Sequence, residues 1–114
     1  MIPCTIWANF GFKAVDNRKN NKPVDFKLAT LDYDPGWKVG DQFIIVNTSN
    51  SVHDYLPVKE MEVIIKQRYH ILKLDKEQDI LEIRIFVEIA DKEDFQQIRE
   101  TLQRFNPGKF ENIE

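Results

Sequence analysis

The sequence predicts an α+β fold: a mainly antiparallel five-stranded sheet, or a partly open barrel, packed by one C-terminal helix. Three observations predict it. Residues 2–14 alternate apolar and polar with a period of two, Met61–Leu74 and Ile80–Ala90 are strand patterns flanking a polar turn, and Asp91–Phe105 changes to a helical period.

In the first element Ile2, Cys4, Ile6, Ala8, Phe10, Phe12 and Ala14 alternate with Pro3, Thr5, Trp7, Asn9, Gly11, Lys13 and Val15. A helix would scatter the first set around its circumference, whereas a strand over residues 4–15 puts it on one face. Gly11 inside that strand marks a bulge or bend. The polar run Asp16–Pro23 then links to a second strand pattern over Val24–Tyr33, giving a hairpin, and Asp34-Pro35-Gly36 has the residues of a turn. Phe43–Val46 is a short continuous apolar run, as expected of a central strand covered on both faces.

Residues 47–57 form a long polar connection, and long connections are enriched in functional loops. Beyond it, pairing Met61–Leu74 with Ile80–Ala90 about Glu77 sets Ile71 against Ile83, Tyr69 against Ile85, Gln67 against Val87 and Ile65 against Ile89 on one side. Lys66 meets Glu88 on the other. In the helix Phe95, Ile98, Leu102 and Phe105 share a stripe, Asp91 is the N-cap, and Asn106-Pro107-Gly108 is the stop. Residues 1–108 are thus expected to form one domain, with 109–114 a frayed acidic tail.

Trp37-Lys38-Val39-Gly40-Asp41, leading into the apolar strand, resembles a strand entry in small PUA-like barrels of the ASCH type. Upstream, where such domains have basic and polar pocket residues, this chain has Ala29-Thr30-Leu31, and its alternating first strand leaves no room for their early helix. No family is assigned on that segment.

Composition narrows the function classes. The chain has 114 residues, 42% of them hydrophobic, enough for one core and too apolar for disorder. A formal net charge of -3 lacks the basic excess of a dedicated nucleic-acid binder. Cys4 is the sole cysteine, so neither an intramolecular disulfide nor a cysteine-based zinc site is available. No run approaches the roughly 18 apolar residues of a membrane span and no secretory pattern opens the chain, so the expected setting is the cytoplasm, without a membrane. The Asn47-Thr48-Ser49 sequon is then read as fortuitous.

The chemistry-bearing residues are few. Gly11, Gly36, Gly40 and Gly108 never approach a phosphate-binding pattern, no serine nucleophile elbow exists, and two histidines without ligand spacing argue for neither metal nor cofactor. What remains is a sheet face opposite the core, on which the expected register puts Trp7, Lys66, Arg68, His70, Arg84 and Phe86, and a loop site of His53, Asp54 and Tyr55. A good fold signal without a catalytic constellation favours a noncatalytic module that binds a protein partner or a second copy of itself. The alternatives are recognition of single-stranded nucleic acid or a nucleotide by the same basic and aromatic face, and a small enzyme using His53 and Asp54.

Overall fold

A computed structural model describes residues 2–14, 23–47 and 60–112. They form β1 (Cys4–Ala14), β2 (Pro23–Leu31), β3 (Gln42–Val46), β4 (Glu60–Lys73), β5 (Ile80–Ile89), α1 (Lys92–Phe105) and β6 (Phe110–Asn112). The six strands make one open sheet in the order β2-β1-β5-β4-β3, with β6 also pairing β1. Every pairing is antiparallel except β1 with β5, which is parallel and sets Cys4 beside Ile83 and Trp7 beside Phe86.

The alternation read in the sequence sorts this sheet. Cys4, Ile6, Ala8, Phe10 and Phe12 of β1 are buried with Ile83, Ile85, Val87 and Ile89 of β5, Met61, Val63 and Ile65 of β4, and Ile98 and Leu102 of α1. Arg84 and Glu88 point the other way. The helix starts where expected because the Asp91 carboxylate accepts the Glu93 and Asp94 backbone N–H groups at 2.7 and 3.1 Å. It stops at Asn106, whose backbone and side-chain N–H groups donate to the Leu102 carbonyl at 3.1 and 2.9 Å.

Gly11 sits where β1 changes neighbour from β5 to β6, with φ 76°. Only glycine takes that conformation without strain. A Cβ there would also lie 3.1 Å from the Arg99 guanidinium, which stacks on Phe12 with its carbon 4.7 Å from the ring centre.

Three expectations are corrected. Residues 110–112 are not tail but strand: Phe110 of β6 stacks on Phe12 at 5.6 Å and meets Phe26 edge-on at 5.3 Å, so it fills an aromatic gap that α1 leaves. Phe105, expected on the buried stripe, is 58% exposed, because the chain turns back at Asn106 and Phe110 takes the place beside β1. β3 is an edge strand rather than a central one, with Phe43 and Ile45 half-buried and Ile44 and Val46 exposed.

Replacing Phe110 by alanine is expected to lower global stability by about 2 to 3 kcal/mol, below the value for a fully buried ring because Phe110 is partly exposed. Urea unfolding measures it; a change within error would return residues 110–112 to the status of a tail.

Candidate functional site

The hairpin register decides which side chains share a face. Near the open end of the sheet Val63 pairs Ile89 and Ile65 pairs Val87, but a bulge at Lys66 inserts one residue, and beyond it Gln67 pairs Phe86, Tyr69 pairs Arg84 and His70 pairs Ile83. The register centred on Glu77 is therefore wrong along its whole length. A bulge reverses inside and outside for everything past it. Arg68 and His70, expected on the outer face, lie on the same side as Ile85 and Ile83; Tyr69, expected in the core, lies outside and is 44% exposed.

Arg68 is accommodated on the covered side by a carboxylate from far upstream. Its guanidinium donates to both Asp34 oxygens, at 2.9 and 2.5 Å, and to the Trp37 carbonyl at 3.3 Å. The Arg68 hydrogen bond, reinforced by the Gly36 N–H and by His70 nearby, holds the Asp34 carboxyl below its ordinary value. His70 itself is exposed.

The opposite face keeps Trp7, Arg84 and Phe86 together, as the sequence implied, and adds Tyr69 and Gln67. Trp7 and Phe86 are register neighbours across the parallel pair, and Tyr69 meets Phe86 edge-on at 5.8 Å. Arg84 lies over the Trp7 ring, 5.0 Å from its centre, while donating to Glu82 at 2.8 and 3.1 Å. The Trp7 indole N–H donates to the Thr5 hydroxyl at 2.8 Å. Between the two halves of the sheet runs an open groove of about 560 Å³, lined by Asn9, Asp25, Lys66, Gln67, Tyr69 and Phe86 among others.

The cations of this face are largely engaged. Lys66 pairs with Glu88 at 3.0 Å, Lys13 with Glu111 at 3.8 Å, and Lys73 and Arg84 converge on Glu82 at 3.3 and 2.8 Å. Glu82 is 8% exposed. Burial pushes its carboxyl up, but the hydrogen bonds from Arg84 and Lys73 outweigh that and leave it below the ordinary value. Parity carried straight through Lys66 puts Tyr69 and Gln67 on the wrong side, whereas Glu82 shares the parity of Arg84 and Phe86 and was legible on this face.

His53, Asp54 and Tyr55 lie outside the described residues. Among the described residues no three His, Cys, Asp or Glu side chains gather as a metal site would need, and no helix is long and apolar enough to cross a membrane. The arrangement offers apolar ring surface with a polar rim. Comparison with family models, with curated proteins and with solved structures finds no match, so function is argued from this geometry alone.

Substituting Arg84 by methionine leaves Glu82 with Lys73 alone and is expected to cost about 1 to 3 kcal/mol at neutral pH. The native Glu82 value is lowered, so its stabilising contribution is present above the unfolded carboxyl value of about 4.3 and is lost as pH falls through the folded one. The gap between wild type and variant in urea midpoint should close on acidification through that range. A gap that stays constant down to about pH 3 would contradict the role given to Glu82.

Proposed function

We propose that the chain is a noncatalytic binding module that takes a protein partner, a second copy of itself included, on the uncovered face of the sheet. One observation carries the reading. The helix and the segment joining β2 to β3 both lie on the Cys4 side, and among the described residues no helix or strand packs over half-buried Trp7 and Phe86 or exposed Tyr69, where Arg84 alone lies on the Trp7 ring. A sheet needs a second layer on any face with contiguous apolar surface, and such patches mark interaction sites.

The chemistry of the face favours protein over nucleic acid. Phosphate binding rests on cations free to neutralise backbone charge, whereas Lys66, Lys73 and Arg84 already have carboxylate partners. Aromatic rings rimmed by locally neutralised charge suit a protein surface. The β3 edge adds to this, since Phe43-Ile44-Ile45-Val46 has no charge, proline or bulge to discourage strand addition, whereas β2 at the opposite edge has Pro23, Asp25 and Lys27. The setting proposed with it is the cytoplasm, which a lone reduced cysteine suits.

Sedimentation equilibrium from about 1 to 300 μM tests the self-association form, a range matched to the affinities of ordinary transient interfaces. The expected result is a mass that rises with concentration, and that Tyr69→Glu returns to the monomer value with an unchanged circular dichroism spectrum. A wild-type chain that remains strictly monomeric removes this form and leaves only an unlike protein as partner. Titration with a single-stranded oligonucleotide at low salt is expected to leave tryptophan emission unchanged; salt-sensitive quenching would replace the protein reading with the nucleic-acid one.

A further inference from the structure

The segment from residue 32 to 41 joins one edge of the sheet to the other and is held very unequally along its length. Its second half is tied by backbone: Gly40 N–H donates to the Ile65 carbonyl at 2.8 Å, and Ile65 N–H to the Asp41 carbonyl at 2.9 Å. Trp37 adds a stack on Phe43, with centroids 4.2 Å apart. The first half has no such ladder. Asp32, Tyr33, Asp34 and Gly36 are all exposed, and the described bond that ties these residues to the sheet is the one from Arg68 to Asp34.

Beneath lies the Cys4 end of the core. Cys4 is fully buried, pairs Leu31 on one side and Ile83 on the other, and has Asp34 and Arg68 close enough to act on its thiol electrostatically. The helix covers the opposite end, over Phe10 and Phe12. A stretch with little apolar burial and a single side-chain tether belongs to the low-stability end of a structure, where segments open without the rest.

We infer that residues 32–36 form a strap latched by the Arg68–Asp34 pair, and that the strap opens locally to uncover the Cys4 end of the core while the sheet and helix stay folded. Arg68 acts here as a latch, a role available to it only because the Lys66 bulge turns it to the covered side. The other charged group beside the latch is His70, near Asp34, while Glu82 acts on the Cys4 thiol from the other face of the sheet, where Arg84 and Lys73 hold it. The inference is independent of the proposed binding face, which lies on the reverse of the sheet.

Cys4 is the only thiol in the chain and so reports on the strap without labelling the protein first. The measurement is its rate of reaction with a small maleimide under native conditions, in wild type, in Arg68→Met, and in Asp91→Ala, a helix-cap variant remote from the strap. At equal loss of global stability, Arg68→Met is expected to react at least about tenfold faster than Asp91→Ala, since only the former changes a local opening equilibrium. Wild-type labelling should also accelerate less steeply with urea than global unfolding does, because a strap exposes little surface. Rates in both variants that follow global stability alone, with the full urea dependence of unfolding, would overturn the inference. The exchanged pair Arg68→Asp with Asp34→Arg should slow labelling again, and Asp34→Asn reads the same latch should Arg68→Met fail to fold.

Discussion

β2 and β3 follow one another in the chain but occupy opposite edges of the sheet, and the path between them constrains everything else. Four strand spacings separate them, about 19 Å at ordinary sheet geometry. Residues 32–41 are long enough to cross that distance, and they cross on the side that α1 already occupies. Two covers therefore share one face. The helix shields the Phe10 and Phe12 end and the crossing segment the Cys4 end, so no described residue is left over to form a layer on Trp7, Tyr69 and Phe86.

That arrangement explains an inversion of polarity within β4. Met61, Val63 and Ile65 reach inward to ordinary apolar neighbours, yet past the bulge the inward positions are Arg68 and His70 while Tyr69 and Ile71 face out. A guanidinium turned toward a core has to be matched by a carboxylate. Asp34 supplies it, and it can do so because the crossing segment passes there. The bulge, the crossing and the ion pair are mutually dependent.

Much of the fold was legible because periodicity reports on the half-buried environment directly. Ile83, Ile85 and Val87 are buried and Arg84 and Glu88 are not, Asp91 caps the helix, and all five strands expected from the pattern exist. What stayed hidden depends on partners distant in sequence. Apolar residues occupy the odd positions from 61 through 71 with the one exception of Gln67, and a single amide is too weak a signal in β4 alone that its backbone phase changes at Lys66. Phe110 sits in a polar stretch that reads as a tail, and its burial exists only against Phe12 and Phe26. Of the candidate site, Trp7, Arg84 and Phe86 fall on one face as their parity implies because the inserted residues lie in the neighbouring strands β2 and β4 and leave the phase of β1 and β5 unchanged here, whereas Arg68 and His70 follow the extra residue within β4.

The parallel union of β1 with β5 has a cost in time. Thr5 and Ile83, which touch in the finished sheet, are 78 residues apart in the chain. At ordinary rates of synthesis of about 5 to 20 residues per second, the first hairpin waits about 4 to 16 s for its central neighbour to leave the ribosome. Throughout that interval the strip of Cys4, Ile6, Phe10 and Phe12 is bare, an adhesive surface in a crowded solution. Nascent chains of this topology carry such a strip without its central neighbour until translation delivers the rest.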